Sequence, residues 1–97
     1  MAKGYWLGHT EIRDVEQYRK YQAANAAAFD KFGGRFLVRG GVQEVKEGAA
    51  MSRSVVIEFP SYEAALACYD SPEYQAAKKH REGVSDIDLV IVEGYAD

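Results

Sequence analysis

The sequence has little cysteine and no long apolar run. Cys68 is the only cysteine among 97 residues, which excludes an internal disulfide and any metal site built from several cysteines. No stretch of about 18 apolar residues occurs, so no membrane-spanning helix is expected. Polar residues interrupt the N-terminal segment too often for a signal peptide. These absences predict a cytoplasmic protein that does not bind membranes.

An excess of positive charge is also missing. The chain has 12 lysines and arginines against 15 aspartates and glutamates, a formal net charge of −3, which argues against a nucleic-acid partner. Its two histidines are far apart and show no HxH or HxxxH spacing, so the spacing implies neither a metal site nor an organic cofactor. The composition, 47% hydrophobic and 12% aromatic, is that of a globular protein. The length predicts a single domain over residues 1–97.

Four strands and two helices are predicted, in the order β-α-β-β-α-β. Apolar alternation and turn signals place the strands over residues 3–12, 35–39, 52–59 and 86–95. A resumed strand over residues 42–46 is expected after Gly40 and Gly41, because paired glycines in a strand pattern are typical of a bulge. The order is typical of a ferredoxin-like α+β sandwich, in which a four-stranded antiparallel sheet carries both helices on one face.

Capping residues predict the helix ends. Asp14 is expected to cap the first helix, which Gly33 ends. Ser61 is expected to cap the second helix, and Ser71 followed by Pro72 indicates a fresh start, so this helix is predicted in two pieces. The cationic run over residues 78–81 is expected to be a solvated helix end.

Both faces of the predicted sheet carry apolar side chains. In the last strand Ile87, Leu89 and Ile91 alternate with Val90 and Val92. Two helices can cover only one face, so the other is expected to meet a second copy of the chain across a two-fold axis. The prediction is a homodimer whose two sheets form a dimeric α/β barrel.

Two residues are candidates for acid–base catalysis. His9 is a candidate because histidine as a residue type gains and loses a proton near the working pH, and a solvated histidine at a strand end is the structural alternative. Glu58 stands in the apolar run VVIEF; if it is buried its pKa rises and it becomes a proton acceptor, and a structural ion pair is the alternative. The ferredoxin-like connectivity places His9 and Arg39 at one end of the sheet and Glu58 at the other.

Arg39 is the favoured candidate for binding a ligand. Its guanidinium can hold a carboxylate or phosphate through two hydrogen bonds, and Gly40 and Gly41 after it allow a ligand to approach the backbone. The structural alternative is a salt bridge from Arg39 to Asp86, Asp88 or Glu58.

Three tyrosines complete the set of candidate ligand-binding residues. In the functional interpretation they line the rim of a pocket between the helices and the sheet, and in the structural one they fill the core or a dimer interface. These are Tyr18, Tyr69 and Tyr74.

Four separated motifs carry a resemblance to a known family: KFGGRFLVRGG, VVIEFPS, YDSPEYQAAKKHR and DLVIVEG. Over residues 4–94 the chain resembles the bacterial domain of unknown function thirteen-thirty, a family of the dimeric α/β-barrel superfamily. The resemblance implies a homodimeric ferredoxin-like barrel with a cleft between helices and sheet. It implies no reaction, because the superfamily also includes cofactor-independent monooxygenases, haem-degrading enzymes and muconolactone isomerases.

Two functions are consistent with these residues. One is an enzyme without a cofactor that acts on a small anionic or aromatic metabolite, in which Arg39 anchors the anion and His9 or Glu58 moves a proton. The other is a non-catalytic dimer that binds a small ligand or has a structural role. An open cleft containing both His9 and Arg39 favours the enzyme, whereas a closed cleft with Arg39 paired to internal carboxylates removes the basis for a ligand.

Overall fold

The computed structural model describes residues 2–95, in which four strands, three α-helices and one 3₁₀ turn are found. Their bounds are β1 Gly4–Ile12, α1 Val15–Phe32, β2 Arg35–Arg39, β3 Arg53–Phe59, α2 Tyr62–Asp70, α3 Pro72–Lys78, the 3₁₀ turn Lys79–Arg81 and β4 Ser85–Glu93. The strands pair antiparallel in the order β2-β3-β1-β4. This confirms the ferredoxin-like α+β fold. None of the helices within residues 2–95 has the length and apolarity needed to cross a bilayer.

The helix ends lie where the capping residues predict. The Asp14 carboxylate accepts a hydrogen bond of 3.1 Å from the backbone N–H of Gln17, and Gly33 ends α1 in the left-handed conformation with φ of 76°. The Ser71 hydroxyl accepts a hydrogen bond of 3.1 Å from the backbone N–H of Tyr74. Ser71 therefore ends α2 and begins α3, which confirms the predicted break in the second helix.

The strand predicted over residues 42–46 is wrong. These residues lie in an exposed loop between β2 and β3, and the bulge is inside β2 instead. Phe36 pairs with Ile57, but Val38 pairs with Val56, so Leu37 is an extra residue in the ladder. The extra residue shifts the alternation of side chains in β2 by one position from Val38 onward.

Trp6 ties β1 to all three helices on the covered face of the sheet. The indole is only 2% exposed, and its Nε1 donates a hydrogen bond of 2.9 Å to the Ala65 carbonyl in α2. Its ring makes edge-to-face contacts with Phe29 in α1 and Tyr74 in α3, at centroid distances of 5.2 and 4.9 Å. The core therefore lies between this face of the sheet and the helices.

The opposite face of the sheet is not covered by any element in residues 2–95. Leu7 on β1 pairs with Val90 on β4, and these side chains are 38% and 55% exposed. Val92 lies on the same face and is 40% exposed. The prediction that both faces carry apolar side chains is confirmed. We call this surface, formed by the outward-facing residues of β1, β3 and β4, the open face.

Candidate functional site

A narrow cleft lies between the sheet and α1 on the covered face. Its void is about 450 Å³ when the open mouth is included, but only about 30 Å³ can hold the centre of a water-sized sphere. The latter volume is enough for about two water molecules, so the cleft is a thin slot. Gly8 leaves the floor of the slot open, because a Cβ at this position would meet only side-chain atoms of Leu89 and Ile87, at 3.8 and 3.9 Å.

Two arginines line the outer part of the cleft and have no acidic partner in the described part of the chain. The Arg39 Cζ lies 4.2 Å from the centroid of the Phe36 ring, and the Arg53 Cζ lies 5.8 Å from that of Tyr18. Among residues 2–95, no carboxylate oxygen is within 4.0 Å of either guanidinium. The salt bridge considered as the structural role of Arg39 is therefore not found in this part of the chain. The cleft mouth, which we define by Arg39 and Arg53, is positively charged.

Gly40 makes room for the Arg53 side chain beside β2. It has a φ of 67°, and a Cβ there would lie 2.7 Å from the Arg53 Nε, closer than real contacts allow. Its backbone N–H donates a hydrogen bond of 2.9 Å to the Ser54 carbonyl. The role of Gly40 is thus to admit the Arg53 side chain, whereas Gly41 is exposed with open space around it.

Two tyrosine hydroxyls lie at the inner end of the cleft, with a buried arginine behind them. The hydroxyls of Tyr21 and Tyr74 are 2.7 Å apart, and the Arg81 Nη2 donates a hydrogen bond of 3.2 Å to the Tyr74 hydroxyl. Arg81 is only 7% exposed, and its Cζ lies 5.4 Å from the centroid of the Tyr21 ring. Burial raises the pKa of Tyr74 and of Tyr18, and the neighbouring Tyr21 adds to both effects. Tyr18 and Tyr74 are therefore neutral hydroxyls at physiological pH.

Asn25 presents an unused amide to the same cleft. The side chain lies on α1 one turn after Tyr21 and is 4% exposed. Its Oδ1 is buried and has no hydrogen-bond partner. Because buried polar atoms are nearly always hydrogen-bonded in proteins, an unpartnered one that lines a cleft indicates a place for a ligand atom or a water molecule.

The structure brings together three of the predicted site residues. Tyr18, Tyr74 and Arg39 all line the cleft. Gly40 and Gly41 follow Arg39 along the chain but do not line it. Tyr69 lies in a separate shallow depression with Leu89 and Ile91.

His9 lies on the open face, away from the cleft. Trp6, Gly8 and Thr10 are the β1 residues that point into the cleft, so His9 points the other way. Its Nδ1 is 3.1 Å from the Ser54 hydroxyl, and the side chain is exposed. The cleft contains Arg39 without His9.

Glu58 also lies on the open face, at the opposite end of the sheet. It accepts hydrogen bonds of 3.2 Å from Lys3 and from the Tyr5 hydroxyl, and its carboxylate is 3.2 Å from the Arg35 Nη2. Partial burial raises its pKa, but the hydrogen bonds from Lys3 and Tyr5 and the charges of Lys3 and Arg35 outweigh this and hold the pKa below its usual value. The rise in pKa expected for a buried proton acceptor is not found.

Among the residues that line the cleft, Tyr21, Asn25 and Arg53 were not predicted as part of the site, and neither was Arg81, which contacts Tyr74 behind the lining. A signal existed for Asn25, which occupies the apolar stripe of α1 between Tyr21 and Ala28. The sequence carried no such signal for Arg81, which stands in a cationic run. The expectation that residues 78–81 are solvated is wrong at this residue, because its side chain is buried. The side chain is buried because the 3₁₀ turn packs on α1, where Tyr21 stacks against it.

The family comparison agrees with the four motifs. The family described as domain of unknown function (DUF1330) matches residues 3–95. The chain belongs to this family. No protein of curated function shows significant sequence similarity to this DUF1330 protein.

Solved structures share the fold of this DUF1330 protein at low sequence identity. A protein of unknown function from Rhodopseudomonas palustris is 20% identical, with a TM-score of 0.79 over 99% of this chain and 85% of that one. A dimeric ferredoxin-like protein of unknown function from Bacteroides fragilis is 15% identical, with a TM-score of 0.62 over 94% and 95%. SnoaB, a cofactor-independent oxygenase from Streptomyces nogalater, is 12% identical, with a TM-score of 0.65 over 100% and 97%. At these identities the likeness shows the fold alone.

Proposed function

We propose that this protein binds a small, flat, anionic metabolite in the cleft, with its anionic group held by Arg39 and Arg53. The observation that carries the proposal is that two guanidinium groups line the same cleft, and neither has a carboxylate within 4.0 Å in residues 2–95. Two positive charges that line one cleft favour an anion bound there. A guanidinium is also the side chain best suited to grip a carboxylate or phosphate through two hydrogen bonds.

The shape and lining of the cleft support a flat and largely apolar ligand body. Trp6 and Phe36 contribute aromatic surfaces, and Val55 and Leu89 contribute aliphatic ones. The enclosed part of the slot has room for only about two water molecules, so a ring would lie in the open part of the cleft, between the aromatic and aliphatic walls. Small-molecule sites commonly combine such apolar walls with a few placed polar groups.

Two uses of the bound ligand are proposed, and each has its own support. The first is a reaction without a cofactor, which the likeness in fold to the oxygenase SnoaB supports. The second is binding without chemistry, as in a sensor or carrier. It is supported by the lining of the cleft, in which no histidine, aspartate or glutamate from residues 2–95 takes part.

We further propose that the protein is a homodimer joined through the open face. Leu7, Val90 and Val92 expose a contiguous apolar surface on a sheet, where an uncovered apolar patch marks an interaction site. The related structure from Bacteroides fragilis is described as dimeric. Because the cleft is on the other face, each protomer would keep its own cleft accessible.

The cleft is tested with benzoate and benzamide, which have nearly the same shape but differ in charge. Thermal unfolding is measured with each compound for the wild-type protein and for Arg39→Gln and Arg53→Gln. At about 100 times its dissociation constant a ligand adds about 2.7 kcal/mol to the free energy of unfolding. We expect benzoate to stabilise the wild type more than benzamide, and each substitution to weaken benzoate binding by about 1.5 kcal/mol or more.

Two further variants make this test specific. Arg19→Gln changes the net charge equally but removes an exposed helix residue paired with Glu16, so the preference for benzoate should remain. Gly8→Val fills the floor of the slot and should weaken both compounds. Equal binding of benzoate and benzamide to the wild type would overturn the proposal of an anion site.

Catalysis and simple binding are separated by following the fate of the ligand. The wild-type protein and Arg39→Gln are incubated with a pool of small aromatic acids, with and without air, and the pool is analysed by mass spectrometry. Turnover that requires the wild-type protein and air supports a cofactor-independent oxygenase. Recovery of an unchanged, specifically retained acid supports the binding protein.

A further inference from the structure

Arg81 brings a positive charge to the inner end of the cleft with no acid to balance it. Its side chain is 7% exposed, its Nε has no hydrogen-bond partner, and among residues 2–95 no carboxylate oxygen lies within 4.0 Å. A buried charge is normally paired, because its desolvation is costly. The contacts it does make are the Tyr74 hydroxyl at 3.2 Å and the face of the Tyr21 ring.

The hydrogen bonds in this cluster have one consistent direction. A guanidinium can only donate, so the Tyr74 oxygen accepts from Arg81. Tyr74 is 0% exposed, and within residues 2–95 its own hydrogen reaches the hydroxyl of Tyr21, at 2.7 Å. Tyr74 therefore donates to Tyr21. Among the described residues the hydrogen of the Tyr21 hydroxyl has no other hydrogen-bond acceptor, and Tyr21 lines the cleft.

The result is a chain of donors that runs from Arg81 through Tyr74 to Tyr21 and ends in the cleft. Each link polarises the next, which strengthens the last donor. Asn25 is one helical turn from Tyr21, and its unpartnered amide can present either its oxygen or, after a half-turn of the side chain, its nitrogen. A ligand oxygen at this point meets a strong donor, an adjustable amide and a positive charge behind them.

We propose that the inner end of the cleft, formed by Tyr21, Asn25 and Tyr74 with Arg81 behind them, binds the oxygen of a phenol or enol and favours its anionic form. This rests on the proposed function of the cleft. It narrows the ligand to a flat molecule with an ionisable hydroxyl. Ionisation breaks the O–H bond, leaves both electrons on the ligand oxygen and passes the proton to water. Arg81 acts through Tyr74 and is a positioning residue.

The charged groups around the inner end are all positive and favour an anion. The titratable groups that face this end are Tyr18 and Tyr21 from α1, Tyr74 from α3 and Arg81 from the 3₁₀ turn, and Arg53 of the cleft mouth contacts Tyr18. None is a carboxylic acid. The aliphatic residues that β4 contributes, Ile87 and Leu89, carry no charge. An anionic oxygen is therefore opposed by no fixed negative charge among the described residues of the cleft.

The test uses para-nitrophenol, which ionises near neutral pH and whose phenolate absorbs visible light. Its pKa is measured by absorbance when it is free and when it is bound to the wild-type protein. We expect binding to lower the pKa of the probe by about one unit, since a nearby opposite charge has an effect of this size. The phenolate then binds about tenfold more tightly than the phenol. Para-nitroanisole, which lacks the acidic hydrogen, reports binding without ionisation.

Variants of the donor chain decide the origin of this shift. Arg81→Met removes the charge and Tyr74→Phe removes the connecting hydroxyl, and in both the pKa of the bound probe should return toward its free value while para-nitroanisole still binds. If Arg81→Met does not fold, Tyr74→Phe and Tyr21→Phe carry the test, because each keeps its buried ring. The controls Arg19→Met and Tyr62→Phe, which lie outside the cleft, should keep the full shift.

The possible failures have different meanings. If neither probe binds the wild type but benzoate does, only this inference is overturned; if benzoate also fails to bind, the proposed function of the cleft is overturned with it. If para-nitroanisole binds but the bound para-nitrophenol keeps its free pKa, only this inference is overturned. It is also overturned if the shift survives in Tyr74→Phe and disappears in Arg39→Gln, because the phenolate then lies at the cleft mouth.

Discussion

The guanidinium of Arg39 lies over the ring of Phe36, with 4.2 Å between the Cζ and the ring centroid, although the two residues are three positions apart in one strand. In a regular strand they would point to opposite faces of the sheet. They share the covered face because Leu37 is an extra residue in the ladder with β3. A single bulge therefore decides that Arg39 lines the cleft and not the open face.

Deletion of Leu37 should leave Arg39 in the cleft. Phe36 would remain opposite Ile57 and Arg39 opposite Val55, now in a regular strand. Leu37 is 47% exposed, so we expect the free energy of unfolding to change by about 1 kcal/mol or less. The preference for benzoate over benzamide should persist, as measured by thermal unfolding.

The contrasting variant exchanges two neighbours. The double substitution Val38→Arg and Arg39→Val keeps the composition but moves the guanidinium to the open face, opposite Val56. We expect it to lose the preference for benzoate as completely as Arg39→Gln does. Retention of the preference in this variant would contradict the assignment of Arg39 to the cleft.

The homodimer is tested by placing a charge on the open face. The wild-type protein should sediment at twice the chain mass of 10.8 kDa, and Val90→Asp should sediment at 10.8 kDa with an unchanged far-ultraviolet circular dichroism spectrum. An unpaired carboxylate buried in an interface costs roughly 3 kcal/mol or more. Val15→Asp is the control, since Val15 is 54% exposed, close to the 55% of Val90, but lies at the start of α1. A wild-type mass of 10.8 kDa would rule out the dimer.

The ion pairs of Glu58 predict a pH dependence of stability. Its pKa in the folded protein is below the ordinary value of 4.5, so the folded state binds the proton more weakly than the unfolded chain does. The contribution of the carboxylate is therefore present above pH 4.5 and is lost as the pH falls through the lower folded pKa. Urea unfolding should show Glu58→Gln to be less stable than wild type at neutral pH, with a difference that shrinks in acid.

The control for this measurement is Glu82→Gln. Glu82 is exposed and belongs to none of the ion pairs found in residues 2–95. Its substitution should change the free energy of unfolding little at either end of the pH range. A constant difference for Glu58→Gln down to strongly acid pH would show that the carboxylate is not stabilised by its neighbours.

Cys68 should be inert in the folded protein. Burial raises the pKa of its thiol to about 12, and the negative charge of Glu73 adds to the effect. Because the thiolate is the reactive form, labelling by a disulfide reagent at mildly alkaline pH should be about a thousandfold slower than in the unfolded chain. Ala67→Cys is the control, because it places an exposed thiol one residue earlier. In this variant one thiol should be labelled rapidly in the folded protein, and Cys68 should be labelled only after unfolding. Rapid native labelling of Cys68 would contradict the burial.

The helix ends follow from local sequence. Asp14 and Ser71 cap their helices because a side-chain oxygen needs only the backbone N–H groups of the next turn, which the chain itself brings near. Gly33 ends α1 because only glycine adopts the left-handed conformation without strain. Such features depend on residues within one turn, so no knowledge of the rest of the fold is needed.

The bulge depends on a distant strand and could not be placed in the same way. Gly40 and Gly41 predicted it at least three residues too late, because glycine marks backbone freedom but not the register of the partner strand. The position of the bulge at Leu37 follows from how Phe36 and Val38 pair with β3. That register in turn decides the face of Arg39.

By itself, the sequence determined the fold class, the helix caps, the two-sided apolar sheet and the grouping of Tyr5, Leu7 and His9 on one side of β1. Only the tertiary structure decided that this side is the open face, which separates His9 and Glu58 from the cleft. It also brought the hydroxyl oxygens of Tyr21 and Tyr74, which are 53 positions apart in the sequence, to a distance of 2.7 Å. The physical reason is the separation along the chain of the residues that interact. Helix capping and strand alternation depend on residues a few positions apart, whereas strand register and the contacts between distant side chains form only when strands pair and helices pack on the sheet.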